Sequence, residues 1–304
     1  MWDALDPRSH DPRELNQAGD PREYEARDPR DVFTSGLDLP RGPERERVYV
    51  QEHEYELRGS EARALATIGA FRVVPASDLR DDHGRHGDIR HGDLERLRDA
   101  GLIRRIVPTE GQRRTALVTL TERGRELLES QRSLEHEHGQ RFYAGPSKSR
   151  ELTHDAQLYR AYLRSADRLH AQGARVERVV LDDDLKRDYQ EFLQQGNRDR
   201  PDSDGRPTRT LEDVRDWAQE HGLPMLDGSV QFPDLRIEYE WPDGRRDVED
   251  VEVLTLHYRG AHAAAKGRSG FTCYRGGGGG RVGGGPASRG DKPFDPDLSD
   301  EFLR

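Results

Sequence analysis

The sequence has a single cysteine, Cys273, among its 304 residues. One thiol can build neither a disulfide framework nor a thiolate zinc cluster within one chain, so a reducing compartment fits best. Long apolar runs are also missing, since none approaches the roughly 18 residues of a membrane-spanning helix. The opening MWDALDPRSHDPR lacks the basic-then-apolar order of a signal peptide. We therefore expect a cytoplasmic protein without a membrane partner.

Hydrophobic residues are also scarce: they make up 32% of the chain against 36% charged residues, so much of the chain must be solvated. The apolar residues concentrate in two stretches. We predict a first domain at 48–138 and a second at 150–275, with a mobile polar insertion at 196–209. A glycine-rich segment, 276–304, is predicted to be a flexible tail, because it has too few apolar residues to offset its ordering entropy.

Residues 1–47 are predicted to form a disordered tail. Asp-Pro-Arg occurs four times there, beginning at Asp6, Asp11, Asp20 and Asp28. Proline and the surrounding charges prevent continuous helix or strand. The pattern favours a solvated arm, and the alternative is a docking peptide that becomes ordered on a partner. The alternating residues from Val48 to Leu57 predict a short edge strand leading into the first domain.

Residues from about Ser60 to Ser130 carry the element order of a winged helix-turn-helix. Ser60 is the predicted cap of a first helix that ends near Gly69, and Ser77 caps a short second helix. Asp88 or Gly92 opens a third helix, which Gly101 ends. Two strands then follow, from Leu102 to Val107 and from Thr115 to Leu120, and Thr121 caps a last helix.

Basic charge is concentrated in this region although the whole chain has a net charge of −10: residues 90–114 hold seven arginines against four acidic residues, a net of +3. A winged helix places its third helix in the major groove and its hairpin on flanking backbone. The candidates for groove contacts are Arg90, Arg96 and Arg98. The candidates for phosphate contacts are Arg104, Arg105, Arg113 and Arg114. The alternative is a solvated face in which Glu95 and Asp99 pair with these arginines.

Three runs in this region resemble a known family. LATIGAFRVVPASDL, HGDLERLRDAGLI and LVTLTERGRELL are similar to the N-terminal winged helix of the replication-relaxation family, whose members are encoded near plasmid and conjugative-element replication or mobilisation genes. The last two runs also occur in MarR-like regulators. The resemblance covers about a quarter of the chain. It implies a DNA-binding accessory or regulatory protein of a plasmid or mobile element.

The second stretch reads as an α/β domain. RELTHDAQLYRAYLRSADRL has helical spacing and is stopped by Gly173, VERVVLDDDLK predicts a strand and a helix, and Thr210 with Asp213 forms the capping box of another helix. FPDLRIEYEWPDGRRDVEDVEVLTL predicts two strands joined by a Pro-Asp-Gly turn. A helix over His262 to Lys266 should pack on this hairpin.

The order of these elements resembles the restriction-endonuclease-like core of replication-relaxation proteins. The resemblance implies that Asp234 and Glu252 hold Mg²⁺, which activates a water, and that a lysine stabilises charge. The family lysine is replaced by Leu254, so Lys266 on the following helix is the candidate, and Asp250 is a spare carboxylate. For Asp234, the alternative is a turn residue. Glu252 lies between Val251 and Val253, where burial without a partner would be costly.

Three histidine patterns are given structural interpretations. His154-Asp155 stands where the family often has a similar pair, and helix capping by Thr153 with Asp155 in the first turn explains it. His83, His86 and His91 fall in a polar loop, and His136-Glu137-His138 falls in a helical run with an acidic centre, so neither set is taken as a metal site.

We therefore predict an α+β protein with a winged helix-turn-helix, a restriction-endonuclease-like α/β domain and disordered termini. The expected partner is double-stranded DNA, with relaxase or replication proteins and a second copy as further candidates. No cofactor is expected unless the nuclease-like site is active, in which case it is Mg²⁺. The alternatives are a Mg²⁺-dependent DNA endonuclease and a protein-interaction adaptor.

Overall fold

A computed structural model describes residues 30–81, 83–106, 116–133, 139–146, 151–197, 207, 209–254, 266, 268–275 and 281–283. This part of the chain is a mixed α+β structure with six α-helices and four β-sheets. Within these ranges, every helix is too short or too polar to cross a bilayer.

The described structure includes residues that the sequence assigns to a tail. A 3₁₀ turn, Asp31–Thr34, precedes a hairpin of β1 (Glu46–Val50) and β2 (His53–Leu57). Phe33 is 1% exposed and packs edge-on against Phe71, with ring centroids 5.4 Å apart. The predicted tail over residues 1–47 is therefore wrong from residue 30 onward. The predicted single edge strand is instead a hairpin.

The first structural unit follows this hairpin. Its elements are α1 (Gly59–Phe71), β3 (Val74–Pro75), a 3₁₀ turn (Ala76–Asp78), α2 (Gly92–Asp99), β4 (Ile103–Ile106), β5 (Leu117–Leu120) and α3 (Glu122–Ser130). The three strands form an antiparallel sheet in the order β3-β5-β4. The segment between β4 and β5, which includes Arg113 and Arg114, lies outside the described residues.

Local sequence explains most of these boundaries. Gly92 is the first residue of α2, Gly101 follows the helix with a φ of +72°, and the Thr121 hydroxyl caps α3 by accepting from the Gly124 amide at 3.2 Å. Ser60 is not a cap, because α1 begins one residue earlier and the Glu61 carboxylate accepts the Arg58 amide. The predicted second helix is only a 3₁₀ turn.

The second structural unit is a five-stranded sheet with helices. Its elements are α4 (Leu152–Ala171), β6 (Arg175–Leu181), α5 (Asp182–Gln194), α6 (Leu211–Glu220), β7 (Met225–Leu226), β8 (Ser229–Val230), β9 (Leu235–Glu240), β10 (Arg246–Leu254), β11 (Thr272–Arg275) and β12 (Arg281–Gly283). The strand order is β12-β11-β10-β9-β6. β11 runs parallel to β10, and the other neighbouring strands are antiparallel.

Several predictions for this unit are confirmed. The Pro-Asp-Gly turn joins β9 and β10, and Thr210 and Asp213 form the capping box of α6. Gly173 follows α4 with a φ of +83°. One prediction is wrong in part. The segment 276–304 is predicted to be a flexible tail, but its residues 281–283 form strand β12, which pairs with β11. Of the predicted helix over His262 to Lys266, only Lys266 is described.

The two units share one hydrophobic core rather than having one each. Phe71 at the end of α1 packs against Tyr159 and Tyr162 of α4, with ring centroids 5.1 and 5.2 Å apart. From there the same cluster of buried residues continues to Ile237 of β9 and Val251 of β10. The domains predicted at 48–138 and 150–275 are therefore joined by continuous packing, so the end of α1 lies beside α4.

Candidate functional site

The first candidate surface is the outer face of α2. Leu94 and Leu97 are 2% and 1% exposed because they pack beneath the helix, whereas Arg96 points away from the core. Asp93 is buried near the start of α2 and forms an ion pair with Arg58. A short helix is thus held by its apolar face and by one buried carboxylate, and its other face is open to solvent.

Two of the three predicted groove arginines are engaged by the protein itself. Arg90 forms a two-pronged pair with Asp88, and its hydrogen bonds lower the pKa of that carboxyl to about 2. Arg98 donates to the Asp99 carboxylate at 2.7 Å and to the Ile89 carbonyl at 2.8 Å. Arg90 and Arg98 therefore pair with acidic residues of the protein, as the alternative interpretation of a solvated helix face expects.

Three other predicted arginines are open. Arg96 on α2 and Arg104 and Arg105 on β4 are exposed, and none of them forms a hydrogen bond or ion pair with another described residue. Because consecutive residues of a strand point to opposite faces, Arg104 and Arg105 extend to the two sides of the hairpin. We call Arg96, Arg104 and Arg105 the open arginine set.

The second candidate site is a carboxylate cluster at the β9–β10 hairpin. Asp234 stands immediately before β9, and its Oδ2 accepts the amide of Val253 in β10 at 2.8 Å. Glu252 is fully buried in β10, and its Oε2 lies 3.2 Å from Lys266 Nζ. Lys266 also donates to the carbonyl of Phe232. The structure therefore brings together the three predicted residues, although they are far apart in sequence.

His154 is a member of this cluster that the sequence interpretation missed. Its Nε2 lies 3.0 Å from Asp234 Oδ2, and its Nδ1 lies 3.6 Å from Asp155 Oδ1. Thr153 does not cap α4, which begins at Leu152 with no side-chain cap, so that part of the structural explanation is wrong, whereas Asp155 does lie in the first turn. The available signal was helical spacing, since His154 lies one turn before the buried Leu158.

The electrostatics of His154 favour a cation at neutral pH. Burial lowers the pKa of the imidazole, but its interactions with Asp155 and Asp234 outweigh burial and raise the pKa to about 10. Asp155 is 7% exposed, its Oδ2 has no hydrogen-bond partner among the described residues, and burial raises the pKa of its carboxyl. We call His154, Asp155, Asp234, Glu252 and Lys266 the carboxylate site.

The first unit contributes Arg72 to the edge of this site. Arg72 follows α1 in a γ-turn with a φ of +63°, in which the Val73 amide donates to the Phe71 carbonyl at 2.6 Å. A positive φ is strained in a residue with a side chain. The turn sends the guanidinium over the ring of Tyr143, 4.0 Å from the centroid, and onto Asp183 at 2.6 Å.

The carboxylate site is closed. The side chains of Glu252, Lys266 and Asp234 are 0%, 11% and 13% exposed. Glu252 pairs with Lys266, and Asp234 pairs with His154. Among the described residues, no three or more His, Cys, Asp or Glu side chains are arranged to hold a metal ion. Asp250 is not a spare ligand, because it pairs with Arg236 at 2.7 Å. Binding of a divalent cation at Asp234 would therefore require His154 to move.

The remaining histidine patterns from the sequence give no metal site among the described residues. His83, His86 and His91 are part of the described chain and contribute to no metal-holding group there, and His86 Nδ1 lies on the Ser77 carbonyl instead. His136 and His138 lie outside the described residues.

Comparison of the chain with known proteins finds no similar protein. No family model matches the chain, and no curated protein and no solved structure matches it either. The resemblance to the replication-relaxation family therefore stays a hypothesis from sequence, and the function must be inferred from the two candidate sites.

Proposed function

We propose that this chain is a double-stranded-DNA-binding protein in which the first unit acts as a winged helix. Support comes from the succession of α1, a 3₁₀ turn, α2, the β4–β5 strands and α3, with a small sheet beside the helices. A helix of the size of α2 fits the major groove, which is about 12 Å wide. The β4–β5 strands would then lie over the adjacent backbone.

The observation that carries this proposal is the open arginine set. An exposed guanidinium that pairs with no other described residue binds a phosphate or a guanine edge without first giving up an ion pair to one of them. We assign Arg96 to the groove and Arg104 and Arg105 to phosphates. Arg90 and Arg98 instead hold α2 and the preceding loop in place, since Arg98 joins the helix to the Ile89 carbonyl.

The biological setting is proposed from the sequence resemblance alone. It would make the protein an accessory or regulator of plasmid or mobile-element replication or mobilisation, with a relaxase or a replication protein as a further partner. A second copy of the chain remains a candidate partner, because winged helices often bind DNA as dimers.

Fluorescence anisotropy with a labelled duplex over a salt series tests DNA binding. We expect affinity to fall steeply with salt, and Arg96→Ala to weaken it about tenfold or more, as loss of a groove arginine does. Arg215→Ala is the matched control, because Arg215 is an exposed α6 arginine without an ion pair to another described residue. Absence of salt-dependent retention would reject DNA binding and support the protein-interaction adaptor.

A second candidate function is Mg²⁺-dependent DNA cleavage by the carboxylate site. It is favoured by the convergence of Asp234, Glu252 and Lys266, and by the succession of Pro-Asp, β9, a turn and the Glu252-bearing strand β10, on which the sequence resemblance to a restriction-endonuclease-like core rests. Asp234 would bind the metal, Glu252 would complete its oxygen ligands, and Lys266 would stabilise developing charge. Leu254 at the usual lysine position and the closed geometry count against catalysis.

Supercoiled plasmid incubated with the protein and Mg²⁺ or Mn²⁺ separates the two functions. Nicking that is lost in Asp234→Ala but kept in Asp243→Ala, an exposed turn aspartate, would support the endonuclease. If the wild-type protein retains the plasmid without nicking it, the cluster has no cleavage activity and DNA binding alone remains.

A further inference from the structure

A large cleft is lined by none of the residues of the carboxylate site. Its volume is about 2170 Å³, and it lies between the segment that begins at Arg30, helix α4 and the β6–β9–β10 face of the sheet. Both structural units contribute to its wall, for example Arg63 of α1 and Arg178 of β6. Whatever fills this cleft therefore touches both units at once.

The wall of the cleft carries charges of both signs. Its described lining includes ten arginines and seven carboxylates. Opposite charges lie close together: Arg175 and Arg246 each lie 3.5 Å from Glu177. Such a wall suits an occupant that also carries both signs with a modest net negative charge.

Residues 1–29 have this composition. They contain eight acidic residues and four arginines, a net charge of −4, and three complete Asp-Pro-Arg repeats that place opposite charges two residues apart. A chain of this length can reach up to about 100 Å when extended, so every part of the cleft is within its range.

The end of the fourth repeat lies in the wall of the cleft. Arg30 closes that repeat, lines the cleft, is 4% exposed and donates from its guanidinium to the Arg80 carbonyl. The next residue, Asp31, pairs with Arg63 of α1 at 3.2 Å. The segment 1–29 thus enters the described structure at the cleft, through a member of its own repeat.

We infer that residues 1–29 dock in this cleft as a mixed-charge strap, with the Asp-Pro-Arg aspartates on cleft arginines and the repeat arginines on cleft carboxylates. The strap bridges the two units and is independent of the proposed DNA contacts. A nucleic acid strand is a poorer occupant, since its uniformly negative backbone would meet seven carboxylates in the wall.

Photo-crosslinking in the full chain tests the location of the strap. Ser9→Cys provides a labelling position for a benzophenone, because the native Cys273 is buried. We expect intramolecular crosslinks to peptides of α4, β6 or the β9–β10 hairpin. Crosslinks elsewhere on the chain would overturn the inference, and crosslinked dimers would assign the cleft to a second copy.

Limited trypsin digestion measures the strength of docking. We expect cleavage after Arg8 and Arg13 to be about tenfold slower than cleavage after Arg289 in the glycine-rich segment, since docked chain resists proteolysis. The double variant Arg175→Glu with Arg246→Glu should remove this protection and keep the fold, because these side chains are 60% and 76% exposed. Arg215→Glu, outside the cleft lining, should leave protection unchanged.

The same variants exclude the alternative occupant. Equal cleavage rates at Arg8 and Arg289 in the wild-type protein would overturn the docking inference. Binding of a single-stranded oligonucleotide that is lost in the Arg175, Arg246 variant but unaffected by Arg96→Ala would also overturn it and assign the cleft to nucleic acid.

Discussion

The open arginine set and the carboxylate site differ in the burial and pairing of their charged side chains. Arg96, Arg104 and Arg105 are exposed on α2 and β4 and form no ion pair with another described residue. Glu252, by contrast, is fully buried and faces Lys266 within the protein. An exposed charge can bind a ligand at little desolvation cost, whereas a buried charge must first lose its internal partner. The first region is ready for binding, and the second must open before it can act.

This difference also orders the effects expected from substitution. Removing one member of a buried ion pair leaves the other uncompensated, which typically costs 3–5 kcal/mol, whereas an exposed pair contributes up to about 1 kcal/mol. The predictions below therefore begin inside the carboxylate site and end with the exposed arginines of α2 and β4.

The largest expected effect is on stability at Glu252. Glu252→Gln and Lys266→Met should each lower the free energy of unfolding by about 3 kcal/mol, because each removes one partner of a buried ion pair. The double variant should lose less than the sum of the two, and urea unfolding of all four proteins measures the coupling. Additive losses would show that the pair does not interact and would break the contrast between the regions.

The next effect concerns pH and His154. The folded-state pKa of about 10 lies above the unfolded value of about 6.5, so the folded protein binds one more proton between these values. Its contribution to stability is complete below pH 6.5 and is lost as pH rises through 10, with a slope of at most about 1.4 kcal/mol per pH unit. Urea unfolding in EDTA should show this fall in the wild-type protein.

His154→Gln is the control for that titration. The variant lacks the imidazolium, so the same pH interval should change its unfolding free energy much less than that of the wild-type protein. Parallel pH profiles of the two proteins would show that His154 is not held as a cation by Asp155 and Asp234.

A smaller effect separates Arg90 from Arg96 on the proposed DNA-binding surface. Arg90→Ala should weaken duplex binding far less than Arg96→Ala, because Arg90 is already held by Asp88. Anisotropy with the same duplex at one salt concentration compares the two variants. Equal losses would mean that ion pairing within the free protein does not decide which arginines bind DNA.

Regular local patterns allowed much of the fold to be predicted from sequence. The β9–β10 hairpin follows from alternating residues around Pro-Asp-Gly, and the starts of α3 and α6 follow from Thr121 and Thr210. Phe33 was missed because the short run of Val32 and Phe33 has neither helical nor alternating periodicity. Its burial depends on Phe71, which lies far along the chain.

The sites divide in the same way. Asp234, Glu252 and Lys266 could be named from a resemblance, and the structure brings them together. The contact of His154 with Asp234 spans 80 residues, so no local pattern contains it. Which arginines are open depends on which guanidinium groups form ion pairs within the protein. Arg98 pairs with Asp99, whereas Arg96 pairs with no other described residue. Sequence spacing alone allowed either outcome.

The most direct test of the open arginine set is the salt dependence of duplex binding in Arg104→Ala with Arg105→Ala. Each phosphate contact contributes about −0.9 to the slope of log affinity against log salt, so loss of two contacts should make the slope less negative by about 2. The account predicts that change, with no change in Arg215→Ala. An unaltered slope in the double variant would contradict the account.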